Sequence, residues 1–77
     1  MDNPTIAGEL LEQARTAAQA GANLYRVRAL RRAALVVQSL DRPVATILAD
    51  AGLRGLREQP GIGTSLAKRI AELALRN

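Results

Sequence analysis

The sequence predicts an all-α fold, a compact bundle of four to five short helices that ends in a helical hairpin. Three observations carry this. The apolar 48% of the chain is nearly all Ala, Leu, Val and Ile, with Tyr25 the sole aromatic. Ala and Leu favour helices, whereas strands draw on β-branched and aromatic side chains. Apolar residues recur at spacings of three and four, the helical period. Proline and glycine punctuate the pattern at short intervals. At 77 residues there is room for one core, so residues 1–77 are expected to form one domain, with the hairpin over about 53–75.

The elements follow in order. "NPTIAGELLEQARTAAQAG" reads as the first helix, with Asn3 as N-cap, Pro4 at the first helical position and Gly21 at the end. Ile6, Leu10, Ala14 and Ala17 form its apolar stripe, widened by Leu11 and Ala18. "NLYRVRALRRAALVVQSLD" reads as the second, capped by Asn23. Its apolar positions Leu24, Val27, Leu30, Ala33, Ala34, Val37 and Leu40 cover more than half the circumference, which predicts the central helix. Arg28, Arg31 and Arg32 stand at i, i+3 and i+4 and form one basic face. Arg26 lies in the first turn, where a cation opposes the helix dipole unless an anion docks there. Pro43 starts a third helix, "PVATILADA", closed by Gly52. A short fourth, "LRGLREQ", stops at Pro60. The fifth runs from about Gly63 to Leu75 and buries Leu66, Ala67, Ile70, Ala71 and Leu73.

Composition also excludes several chemistries. With no cysteine and no histidine, disulfides, Cys/His zinc sites and His- or Cys-based triads are ruled out. The longest apolar run, Ala33 to Val37, is far too short to span a membrane. The amino end has no secretory apolar region, so a cytosolic protein is expected. The net charge is +4, and ten of the eleven basic residues are Arg, whose planar fork of donors suits phosphate. Nucleic acid is one partner consistent with this balance; a solvated basic surface is the other reading.

The segment with the most chemistry is "EQPGIGTSLAKRI", residues 58–70. Pro60 stops one helix, and Gly61 and Gly63 are expected to take positive φ and to admit a close neighbour. Ile62 between them plugs the gap between the helices. The next helix opens with free N–H groups, its positive dipole end and the hydroxyls of Thr64 and Ser65, an arrangement suited to an anion. Lys68 and Arg69 add positive charge one turn on. A dinucleotide fold is excluded because no strand precedes the glycines, and a Walker A loop because Thr-Ser follows Gly63. A helical corner that binds nothing remains the competing structural reading.

This segment resembles the helix-hairpin-helix motif, with its Pro-Gly-Ile-Gly core and an alanine four residues on, here Ala67; Gln59 stands where leucine is usual. The resemblance implies sequence-independent binding of DNA backbone phosphates by the hairpin amides. It extends further. "GANLYRVRALRRAA" and "SLDRPVATILADAGLRGLREQPGIG" resemble the amino-terminal domain of bacterial family X DNA polymerases, related to the DNA polymerase beta lyase domain, over about residues 3–75. By that resemblance Tyr25, Arg26, Arg57, Ser65 and Arg69 fall on positions of a pocket for the 5′-phosphate of gapped or nicked DNA. Leu30 falls where the family has a tyrosine, and Ser65 replaces a lysine. The lyase's Schiff-base lysine falls on Arg69, whose guanidinium cannot lose its proton to attack an aldehyde. Lys68 is adjacent, but one residue along a helix turns the side chain by about 100°. The resemblance further implies a monovalent cation, Na⁺ or K⁺, on the backbone carbonyls of Arg57, Gln59 and Ile62.

Three function classes therefore stand open. The first is a DNA-binding module for gaps, nicks or single-strand/duplex junctions, monomeric and in the bacterial cytosol or nucleoid. Its contact residues are Gly61, Ile62, Gly63, Thr64, Ser65, Lys68, Arg69, Tyr25, Arg26, Arg57 and Arg28. The second is a 5′-deoxyribose phosphate lyase using Lys68. The third is a protein-interaction module. The chain has no polymerase carboxylate triad and cannot by itself synthesise DNA.

Overall fold

The computed structural model describes residues 1–76 and contains four helices, with no strand among them. These are α1 (Asn3–Gln19), α2 (Leu24–Ser39), α3 (Val44–Arg57) and α4 (Thr64–Ala74). The third and fourth expected helices are joined in α3, which breaks where the sequence places the break. Gly52 there has φ 63° and ψ −157°, a conformation open to glycine. The break folds the end of α3 back on its start. A methyl group on buried Gly55 would stand 2.8 Å from Cγ2 of Ile47, so only glycine permits the approach.

The helix ends follow from local chemistry, with two corrections. The cap of α1 is Asp2, not Asn3: Asp2 is extended, and its carboxylate accepts from the Thr5 N–H at 2.9 Å. Asn3 is already helical, and its amide works at long range. It donates to the Arg42 carbonyl at 2.8 Å and accepts from the Val44 N–H at 3.0 Å, fastening the α2–α3 connection to α1. Pro43 sits just outside α3 as its N-cap rather than at the first helical position, because its ψ of 142° is extended. At the end of α1, Ala22 N–H reaches the Ala17 carbonyl and Gly21 N–H the Ala18 carbonyl, the paired bonds of a glycine-terminated helix. Asn23 caps α2 as expected, accepting from Tyr25 N–H at 2.7 Å.

The core is built from Ile6, Ala7, Leu10 and Ala14 of α1, Val27, Leu30, Ala33, Ala34 and Val37 of α2, and Leu56, Ile62, Ile70 and Leu73 around the hairpin. Each large aliphatic side chain buried here contributes about 1.5–3 kcal/mol. The small alanines let the helix pairs approach closely. α1 packs most extensively on α2 and α3 on α4, while α1 also touches α4. The central role expected of α2 thus falls to α1, which joins the two pairs. Accordingly Leu24 is 66% exposed rather than in the core. Leu11 and Ala18, expected to widen the α1 stripe, face solvent because the two pairs close over a narrower strip.

Candidate nucleic-acid interface

The hairpin spans the end of α3, the turn Glu58–Gly63 and the start of α4. Glu58 N–H bonds to the Arg54 carbonyl, Gln59 N–H to Leu56 and Ile62 N–H to Gln59, the last at 3.2 Å. Pro60 has no N–H to continue the helix. Gly61 takes φ 79°, as expected, which reverses the chain. Gly63 does not: it is extended at φ −88°, and the space where its side chain would stand has no atom within 4 Å. Its value at the site is an unobstructed approach rather than a left-handed turn. Ile62 is buried between the helices with Leu56 and Ile70, and Leu66 is partly buried beside them.

The amino end of α4 differs from the other three. Asp2 accepts an N–H of α1, Asn23 one of α2, and Asn3 one of α3. α4 has no side-chain cap. Among the described residues, the N–H groups of Gly63, Thr64 and Ser65 meet no protein acceptor. The hydroxyl-bearing residues Thr64 and Ser65 are exposed beside them. These donors and the positive end of the helix dipole face outward together, a ready site for an anionic oxygen.

The basic residues gather around this end. Tyr25, Arg26, Ala29 and Leu30 of α2 and Ser65, Leu66 and Arg69 of α4 line one cleft of about 230 Å³. The fold thus brings Tyr25, Arg26, Ser65 and Arg69 together from segments about 40 residues apart. Arg69 is half-buried, and its guanidinium donates to Oε1 of Gln13 at 2.7 Å. Sequence reasoning missed Gln13; its one signal is a polar residue bordering the apolar stripe of α1. Leu30 supplies an apolar wall. Lys68 lies outside this cleft and lines a neighbouring one with Ser65, Arg69 and Glu72, as expected for a residue one step around the helix. Tyr25, Arg28, Ala29, Arg32 and Gly61 line a third cleft, on the other side of Tyr25. Arg57 is exposed at the end of α3.

Charge pairing separates these cations from Arg15 and Arg42. Arg15 pairs with Glu12 and Arg42 with Asp50. The Arg15 guanidinium holds the Glu12 carboxyl below its usual range. Among the described residues, Arg26, Arg28, Arg31, Arg32, Arg57, Lys68 and Arg69 have no carboxylate within ion-pair distance. The basic face of α2 is therefore not neutralised by the protein itself.

The family model described as the helix-hairpin-helix domain matches residues 1–76. The chain belongs to the helix-hairpin-helix domain family. Such domains in general bind DNA, so family membership points to nucleic acid as the partner class. No curated protein and no solved structure matches the chain significantly. No helix among the described residues is long and apolar enough to cross a membrane.

Proposed function

We propose that this domain binds DNA through backbone phosphates, without sequence preference, at gaps, nicks or 5′-phosphate ends during repair. Within this reading it acts in the cytoplasm, as a stand-alone module or as the amino-terminal part of a family X polymerase. The observation that carries it is the uncapped amino end of α4, whose free N–H groups stand beside a cleft lined by Arg26, Ser65 and Arg69. Phosphates carry no sequence information, so affinity arises without base readout. Arg69 acts as a fixed clamp: a bidentate guanidinium held by Gln13 suits a terminal phosphate. The hairpin backbone also suits Na⁺ or K⁺. The Arg57 and Ile62 carbonyls have no N–H partner among the described residues, and the Gln59 carbonyl, engaged once, keeps a second lone pair. A bound cation would add positive charge at the turn; the amides and Arg side chains do the binding.

The test is fluorescence anisotropy on 5′-phosphorylated gapped DNA across a salt series. Three to five neutralised phosphates give a log–log salt slope of about −3 to −4, unchanged when the DNA sequence is scrambled. Affinity independent of salt would sink the reading. The lyase alternative is checked in the same preparation with borohydride on a substrate bearing a 5′-deoxyribose phosphate. No trapped adduct is expected, since Lys68 lies outside the cleft of Arg26 and Arg69. An adduct lost in Lys68→Ala would establish the lyase instead.

A protein-interaction role has one observation in its favour. Leu24, Leu35 and Leu75 are 66%, 65% and 70% exposed, more apolar surface than the sequence predicts. A monomeric mass by light scattering at high protein concentration would count against self-association through it.

A further inference from the structure

Arg32 is not among the contact residues of the 5′-phosphate reading, and the cleft it lines is a different one from that of Arg26, Ser65 and Arg69. That cleft holds about 290 Å³ between Tyr25, Arg28, Ala29 and Arg32 of α2 and Gly61 of the hairpin. Three features set it apart from a solvated basic face. Arg28 and Arg32 stand at i, i+4, where like charges destabilise a helix, and neither meets a carboxylate among the described residues. Arg15 and Arg42 pair with carboxylates, and Arg54 and Arg76, unpaired among the described residues, have no like charge four residues away. Next, Arg32 lies along the hairpin. A methyl group on Gly61 would stand 2.7 Å from its Cδ and 3.4 Å from its Cγ. The absent side chain at Gly61 therefore makes room for the Arg32 stem and brings this cation to the edge of the turn. Finally, Tyr25, the one aromatic side chain, is 82% exposed and walls both this cleft and that of Arg26, Ser65 and Arg69.

We infer that the Tyr25–Arg28–Arg32–Gly61 cleft is a second phosphodiester subsite, so that a DNA strand lays one phosphate on each side of Tyr25. Arg28 and Arg32 supply the donors, and the glycine edge lets the sugar–phosphate backbone come close. This rests on the DNA-binding reading and adds a second contact to it.

The experiment compares two variants with the same change in net charge. Arg28→Gln/Arg32→Gln removes the subsite. Arg54→Gln/Arg76→Gln removes two exposed cations that line neither cleft. Binding to 5′-phosphorylated gapped DNA is measured by anisotropy from low to physiological salt. The subsite variant should lose about tenfold or more in affinity, and its log–log salt slope should flatten by about 0.7 to 0.9, the value for one lost phosphate contact. The control should lose less than about threefold, since screening weakens distant charges. Equal losses in the two variants would overturn the subsite while leaving the DNA-binding reading intact. Wild-type protein that fails to bind would overturn that reading, and the subsite with it. All four arginines are exposed, so both variants should unfold at about the wild-type temperature.

Discussion

The amino ends of α2 and α4 are built to opposite purposes. At α2, Asn23 turns its own side chain onto the Tyr25 N–H and closes the helix internally. At α4, Gly63 has no side chain to offer, and the first N–H groups are left to solvent. A glycine N-cap costs only a few tenths of a kcal/mol relative to Asn or Asp, so leaving the side chain out has a small cost. The uncapped end is also the one that faces the half-buried Arg69 and the unpaired Arg26. At α4 the backbone donors themselves are free for an external anion, whereas at α2 the Tyr25 N–H is taken by Asn23 and the cation offered is the Arg26 side chain.

The largest effect expected is from converting the open end into a closed one. Gly63 is extended and has no atom within 4 Å of the vacant side-chain position, so Gly63→Asp fits without strain. The new carboxylate would occupy the amides and repel phosphate. DNA affinity should fall by about tenfold to a hundredfold. Stability should hold or rise by roughly 0.3 kcal/mol, because a capping Asp slightly outranks Gly. Anisotropy and thermal unfolding on the same sample check both halves. Binding that survives the substitution would show that the two ends do not differ in function.

A smaller effect should come from Asn3, which serves structure alone. Asn3→Ala removes the amide that joins the α2–α3 connection to α1 and frees the Val44 N–H. A loss of about 1–2 kcal/mol is expected. For a domain of this size that lowers the melting temperature by roughly 4–16 °C. DNA affinity measured well below the transition should be unchanged. An affinity loss there would blur the division between stabilising and binding ends.

The smallest effect concerns the cap of α1 and its pH dependence. Hydrogen bonding from Thr5, its side chain first and its backbone N–H second, holds the Asp2 carboxyl below its ordinary pKa. A depressed folded-state pKa means that the contribution is complete above the unfolded value, about 3.9, and is lost as pH falls through the lower folded value. The difference in melting temperature between wild type and Asp2→Ala should therefore be constant near neutrality and shrink below about pH 4. A gap that stays constant down to pH 2 would show that the ionised carboxylate does not carry the cap.

Much of the scaffold was legible because it is written in local backbone chemistry. Gly21, Asn23, Gly52 and Pro60 each act within a few residues, and each breaks or starts a helix where the sequence predicts. The errors are also local and instructive. Asp2 and Asn3 are both good caps, and what decided between them is that Asn3 is needed 41 residues away at Val44. The hairpin glycines read as equivalent, yet only Gly61 carries the turn, while Gly63 contributes open space. Leu24 fits the apolar period of α2 but lies beyond the reach of α1 and is left in solvent.

By itself the sequence determined the helical class, the positions of the breaks, the exposed amides of the hairpin and an arginine-rich surface. These follow from propensity, proline's missing donor and glycine's freedom, which act without knowledge of the rest of the chain. Tertiary structure alone decided which cations meet the hairpin. Helical periodicity says that Arg26, Arg28 and Arg32 point outward, but not toward what, because the angle at which one helix rolls against another depends on every side chain in the contact. Packing of the core placed Arg26 beside Ser65 and Arg69, laid Arg32 along Gly61, tied Arg69 to Gln13 across 56 residues, and left Lys68 outside the shared cleft.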